Sequence, residues 1–92
     1  MKKADLIERI RDRANITRVK AETVVETVFD SIKGALKNGD RVEIRGFGCF
    51  EVRHYDGYQG RNPQTGEVIE VPKKRLPFFK VGKELKAKVS KA

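Results

Sequence analysis

The most informative part of the sequence is YDGYQGRNPQTGEVIEVPKK, which occupies residues 55–74. Its twenty residues exceed the ~12 to 15 beyond which structureless loops become uncommon in compact domains. Turn-forming residues fill positions 62–66, and both flanks favour β-strands. The pattern predicts a two-stranded β-ribbon with Pro63 at or near its tip.

Such a ribbon needs a partner to become ordered. At ~3.3 Å per residue, residues 52–61 would reach ~30 Å from the rest of the protein. Residues 56–66 show no apolar periodicity, so they have no side that faces a core. Because an isolated two-stranded ribbon is marginally stable in water, we expect this segment to order against a binding partner.

The segments on either side of the ribbon predict a small antiparallel sheet. Val42 and Ile44 alternate with charged residues, and GFG at residues 46–48 then favours a tight hairpin turn. A second strand is expected from about residue 49 to 55. The stretch that follows the ribbon is also strand-like, but Pro77 suits only an edge or irregular strand.

Both ends of the chain predict helices. Apolar residues recur at helical spacing over residues 6–14 and again, as a broad stripe, over residues 21–36. Thr17 is placed to cap the second helix, which is expected to end at residues 38–39. Near the C-terminus, apolar residues at every fourth position among lysines predict a short basic helix.

The apolar content exceeds what one small subunit is expected to hide. The stripe of the second helix is accompanied by five phenylalanines. Two helices and a small three-stranded sheet offer too little interior for all of this surface. A dimer that shares one core would bury the excess.

The charge distribution points to a polyanionic partner. The 92 residues carry a net charge of +8. Residues 1–40 hold nine basic and seven acidic side chains, whereas residues 41–92 hold twelve and six. The second half is therefore electropositive, and nucleic acid is the commonest partner of such a surface. A merely solvated charged surface remains the alternative.

Composition argues against a membrane protein and a second domain. The chain is 38% hydrophobic and 37% charged, and its apolar runs fall far short of the ~18 residues of a spanning helix. The length suits one domain, and acidic residues follow the first lysines before any apolar stretch forms. We expect a soluble protein of the cytoplasm.

The residues needed for catalysis or metal binding are absent from the sequence pattern. A single cysteine, Cys49, and a single histidine, His54, exclude an internal disulfide and a clustered zinc site. Cys49 lacks a positioned base and is interpreted as a small strand residue. The GFG at residues 46–48 lacks the third glycine of a dinucleotide-binding motif. The sequence predicts no enzyme, no cofactor and no metal.

Three motifs resemble those of one family of bacterial proteins. They are GFGxF at residues 46–50, GRNPQTGE at residues 60–67 and PxFKxGK at residues 77–83. Together they are similar to the HU and integration host factor family of DNA-bending proteins, and the resemblance covers nearly the whole chain.

The resemblance implies an α+β fold and an intertwined dimer, with an identical or a related subunit as the partner. One domain over residues 1–92 would comprise four parts. These are a helical dimerisation base (1–39), a sheet that forms a saddle (40–54 and 75–81), a ribbon arm (55–74) and a C-terminal helix (82–91). The family wraps and bends duplex DNA through the minor groove in the nucleoid.

The resemblance also implies which residues contact DNA. Pro63 matches the proline at the tip of the arm that inserts between base pairs. The other candidates are Lys3, Arg45, Arg53, His54, Arg61, Asn62, Gln64, Lys73, Lys74, Arg75, Lys80, Lys83 and Lys86. Residues 54–59 depart from the pattern, because relatives often place several arginines there.

Sequence preference and two other functions stay open at this point. Residues 42–46 and 77–80 resemble the β subunit of integration host factor, in which the residues matching Glu43 and Arg45 take part in sequence preference. Nonspecific and mildly selective binding are both compatible with the pattern. A scaffold for acidic proteins and a binder of structured RNA are the other classes, although neither explains a ribbon with a proline at its tip.

Overall fold

The computed structural model describes residues 1–91, and Ala92 lies outside them. These residues form three helices and five strands, which confirms the predicted α+β class. In chain order the elements are α1 (Lys3–Ala14), α2 (Arg18–Lys37), β1 (Val42–Ile44), β2 (Gly48–Tyr55), β3 (Tyr58–Arg61), β4 (Val68–Val71), β5 (Lys74–Val81) and α3 (Lys83–Ser90).

Helices α1 and α2 form a helical hairpin with a very small core. Ile7 of α1 packs against Ala21 and Val25 of α2, and these three side chains are buried. Asn15 ends α1 in the left-handed conformation, with φ of 53°. The predicted cap of α2 is confirmed, because the Thr17 Oγ1 accepts a hydrogen bond of 3.3 Å from the backbone N–H of Lys20.

Strands β1, β2 and β5 form an antiparallel sheet in the order β1-β2-β5. The turn between β1 and β2 is closed by a 3.0 Å hydrogen bond from the N–H of Phe47 to the carbonyl of Ile44. Gly46 allows this turn, since its φ of 83° is unfavourable for other residues. Pro77 lies on β5, an edge strand, as the sequence predicted.

Strands β3 and β4 form a separate two-stranded ribbon. A hydrogen bond of 2.9 Å from the N–H of Asn62 to the carbonyl of Glu67 closes its tip, and Pro63 lies within this turn, exposed. The radius of gyration is 19.3 Å, against about 12 Å for a compact chain of this length. The protein is therefore elongated, with a longest dimension of 60 Å.

The ribbon continues the register of the larger sheet. Cα pairing runs from Gly48 opposite Val81 to Tyr55 opposite Lys74, and it resumes with Tyr58 opposite Val71 without a shift. The ladder is interrupted at residues 56–57 and 72–73, where Pro72 has no N–H to donate. The two strand pairs are thus successive parts of one long hairpin.

Much apolar surface remains uncovered in the single subunit. The buried apolar side chains are those of Ile7, Ala21, Val25 and Cys49. By contrast, Phe29 on α2 is 42% exposed and Phe47 is 43% exposed. The ring of Phe79 lies 5.3 Å from that of Phe47 and 4.8 Å from that of Phe50, so this uncovered surface contains an aromatic cluster.

Candidate nucleic-acid interface

The three-stranded sheet has two chemically different faces. Alternation along each strand places the rings of Phe50 and Phe79, which are directly opposite one another, on one face with Val52. We call this the helix-side face, because Val52 lines a groove with Leu36 and Lys33 of α2. The other face, here called the open face, consists of Glu43, Cys49, Glu51, Arg53, Tyr55, Lys74, Leu76, Phe78 and Lys80.

The open face brings three of the predicted DNA-contacting residues together. Arg53 lies on β2, and Lys74 and Lys80 lie on β5. The Lys74 Nζ is 5.8 Å from the centre of the Tyr55 ring, which is its cross-strand neighbour. All three cations are exposed, so they are available to an anionic partner along one surface.

Two other predicted residues lie on the opposite face. His54 and Arg75 are directly paired across β2 and β5, on the helix-side face. The Arg75 Nη2 donates a hydrogen bond of 3.3 Å to the carbonyl of Lys37, the last residue of α2. This contact satisfies a carbonyl that a helix end leaves without a partner. The structure therefore gives Arg75 a role in joining the helices to the sheet.

The tip of the ribbon presents an apolar ring beside polar groups. The Asn62 Oδ1 accepts a 2.9 Å hydrogen bond from the backbone N–H of Gln64, so the Asn62 side chain holds the turn that exposes Pro63. A second hydrogen bond, of 2.8 Å, joins the Gly66 N–H to the Asn62 carbonyl. Arg61 ends β3 and is exposed, which places a cation next to the tip.

The remaining candidates lie at the ends of other elements. Lys83 and Lys86 are exposed on the first turns of α3, and Arg45 is exposed in the turn after β1. Lys73 is exposed between β4 and β5. The Lys3 Nζ lies 3.3 Å from Glu26 Oε1, so this ammonium already has a carboxylate partner within the subunit.

Arg41 is a further cation near the open face, which the sequence motifs did not single out. Its Nε donates a hydrogen bond of 2.9 Å to the Sγ of the buried Cys49. This hydrogen bond and the nearby Glu43 carboxylate raise the pKa of Arg41 above its ordinary value. Strand alternation in the sequence could have identified Arg41, because it places Arg41 on the same face as Glu43.

Two further observations concern chemistry and membranes. Within residues 1–91, no three side chains of the metal-ligating types form a cluster. The helices described above include none that is both long enough and apolar enough to cross a membrane.

Comparison with known proteins identifies close similarity over the full length. Residues 1–90 match the family model described as bacterial DNA-binding protein. The DNA-binding protein HU-1 of Halalkalibacterium halodurans is 49% identical over 98% of this chain and 100% of its own length. The DNA-binding protein HU 1 of Bacillus subtilis is 47% identical over 98% of both chains.

Solved structures of HU proteins share the architecture. The Anabaena HU in a cocrystal structure with DNA matches with a TM-score of 0.86 and 36% identity, and the match covers 100% of both chains. HU from Thermotoga maritima matches with a TM-score of 0.68 and 31% identity, over 97% of this chain and 98% of the other. These matches confirm the resemblance inferred from the motifs, and the chain belongs to the family of bacterial DNA-binding proteins that includes HU.

Proposed function

We propose that this protein bends duplex DNA as an architectural component of the bacterial nucleoid, without catalysing a reaction. The observation that carries the proposal is the ribbon, whose exposed tip is Pro63 and whose base continues into a sheet with three exposed cations on its open face. Family membership supports this function, since HU proteins bind DNA and are not enzymes. The protein would act in the cytoplasm, bound to the chromosome.

Phosphate neutralisation supplies most of the affinity in this proposal. Lys74, Lys80 and Arg53 would meet phosphates along the open face, and Lys83 and Lys86 would extend this contact from α3. Each neutralised phosphate releases condensed counterions, which favours binding. Because the phosphates are the same at every base pair, such binding is largely independent of sequence. Lys73 and Lys3 would add contacts on the flanks, the latter after exchanging Glu26 for a phosphate.

Insertion of the ribbon tip into the minor groove produces the bend. Pro63 is rigid, apolar and exposed, and a side chain without polar groups to satisfy is suited to lie between unstacked bases. Arg61, Asn62 and Gln64 would lie in the groove beside it. The unstacking of a base step costs a few kcal/mol, and the longer contact with bent DNA offsets this cost.

Dimerisation places two ribbons on one duplex. The uncovered rings of Phe29, Phe47 and the cluster around Phe79 are the surface that a second subunit would bury. The partner is an identical chain or a related subunit. His54 and Arg75, at the base of the hairpin, would reach the DNA backbone only from its edge, since they lie on the helix-side face.

Sequence preference is proposed to be weak. Arg45 is exposed in the turn after β1, beside the open face, where it is suited to a phosphate contact. The relatives named above are HU proteins. Residues 42–46 and 77–80 resemble the integration host factor β subunit, and the mild sequence preference that this resemblance implies remains a prediction.

Replacing Pro63 separates bending from binding. In Pro63→Ala the cations remain, so affinity for linear duplex DNA should fall only slightly, by less than about tenfold. The preference for nicked or gapped DNA over linear DNA should be largely lost. Flexible DNA costs less to bend, and a protein without the wedge no longer benefits from that lower cost. Competition titrations with linear, nicked and gapped duplexes of one sequence measure both quantities.

Arg61→Ala is the matched control, because Arg61 ends β3 two residues before Pro63. It should weaken binding to all three duplexes alike and reduce the dependence on salt, because it removes a charge and leaves the wedge. An unchanged preference for gapped DNA in Pro63→Ala would show that the proline is only a turn residue. Tighter binding to duplex RNA or to an acidic protein than to duplex DNA would favour the two other functional classes.

A further inference from the structure

Arg53 is held on the open face by an aromatic ring. Its guanidinium carbon lies 3.4 Å from the centre of the Phe78 ring. In register Arg53 is opposite Leu76, so Phe78 is the next residue of β5 on the same face. Phe78 is 37% exposed, and the stack therefore forms at the surface of the sheet.

A carboxylate lies beside the same guanidinium in a second direction. The Arg53 Nε is 3.5 Å from the Oε1 of Glu51, two residues earlier on the same strand and face. The ring and the carboxylate together restrict a side chain that otherwise has many rotamers. Arg53 thus has a defined position in the structure without a ligand.

The stack leaves the hydrogen-bonding edge of the guanidinium available. A guanidinium stacks through its flat face, whereas its N–H groups lie in its plane and suit a bidentate contact with phosphate. Within residues 1–91 the Arg53 guanidinium makes no hydrogen bond that meets ordinary geometry. Arg75, by contrast, donates to the carbonyl of Lys37.

The other cations of the open face are held less closely. The Lys74 ammonium is 5.8 Å from the Tyr55 ring, close to the ~6 Å limit of a cation–π contact. An ammonium also lacks the planar group that stacks on a ring. Of the cations of the open face, Arg53 accordingly has the closest aromatic contact.

We propose that Phe78 is a positioning residue that presents Arg53 to a DNA phosphate. The proposal rests on the DNA-binding function proposed above and adds the residue through which Arg53 acts. Ordering a side chain before binding removes part of the entropic cost of association. Phe78 would raise affinity without itself touching DNA.

A double-mutant cycle on Phe78 and Arg53 tests this role. The single variants Phe78→Leu and Arg53→Ala and their combination are titrated against a short labelled duplex by fluorescence anisotropy. Phe78→Leu should weaken binding by about two- to tenfold, the range expected for one side chain that must be ordered. In the Arg53→Ala background the same change should have no further effect, because the group that Phe78 positions is gone.

Two conservative variants separate positioning from a general effect on folding. Phe78→Tyr keeps the ring and should bind like the wild type. Arg53→Lys keeps the charge but cannot stack in the same way, and it should weaken binding about as much as Phe78→Leu. Thermal unfolding of each variant shows whether the fold is intact, and Arg53→Lys tests the stack even if Phe78→Leu fails to fold.

Several results would overturn the proposal. Equal losses from Phe78→Leu with and without Arg53 would mean that Phe78 acts through the fold. Wild-type affinity in Phe78→Leu or in Arg53→Lys would mean that the stack does not contribute. If the wild-type protein itself failed to bind duplex DNA, the proposed function would fail first, which distinguishes that result from the others.

Discussion

Raising the salt concentration from 50 to 200 mM should weaken binding to duplex DNA by about 10³- to 10⁵-fold, if a dimer neutralises about 6 to 10 phosphates. The physical reason is the release of condensed counterions, whose entropic gain shrinks as bulk salt rises. The cations of the open face, with Lys83 and Lys86 on α3, supply enough charge for this number of phosphates. Anisotropy titrations at four or more salt concentrations give the slope directly.

The double variant Lys83→Ala and Lys86→Ala should lower that slope by about 1 for each phosphate that is no longer neutralised, and it should weaken binding to all sequences alike. Arg13→Ala is the control, since Arg13 is an exposed cation at the end of α1 that is not among the predicted DNA-binding residues. It should leave the slope unchanged. A flat salt response of the wild type would contradict the electrostatic account.

Loss of an aromatic ring from the uncovered cluster should destabilise the protein severely. The ring of Phe50 lies 4.8 Å from that of Phe79. The buried core of the helical hairpin consists of only three side chains, so the single subunit has little other interior. If a second subunit covers this cluster, Phe50→Ala removes a ring from a shared core and should cost about 3 to 5 kcal/mol. Chemical denaturation at several protein concentrations measures the cost. A core shared between two subunits couples folding to dimerisation, so under this proposal the midpoint should rise with concentration.

Val19→Ala provides the comparison for this variant. Val19 is 74% exposed near the start of α2, so its truncation should change stability by no more than about 0.5 kcal/mol. Sedimentation that shows a well-folded wild-type monomer at micromolar concentration would be incompatible with a shared core.

The local elements of the fold were predictable because their signals are local. Thr17 caps α2 through its own hydroxyl, and Gly46 permits the turn before β2, so a few neighbouring residues determine each feature. The ribbon was predictable for a similar reason, since turn formers around Pro63 separate two strand-like stretches. The apolar surplus on α2 likewise follows from a helical period that the sequence displays.

The faces of the sheet were not predictable, because they depend on register. Alternation shows that Arg53 and His54 lie on opposite faces of β2, but it does not show which face is turned toward α2. The long segment between β2 and β5, residues 56–73, also leaves the register of these two strands undetermined from the sequence. The position of Arg75 on the helix-side face and the stacking of Arg53 on Phe78 therefore emerged only from the structure.

The most direct test of DNA bending is the end-to-end distance of a short duplex bound by the wild-type protein. Fluorescence energy transfer between dyes at the two ends is measured at protein saturation, with binding followed in parallel by anisotropy. We expect a clear rise in transfer on binding, because the two Pro63 wedges of a dimer kink the duplex and bring its ends together. If binding is saturated but the energy transfer stays at the value of the free, straight duplex, the proposed bending is contradicted.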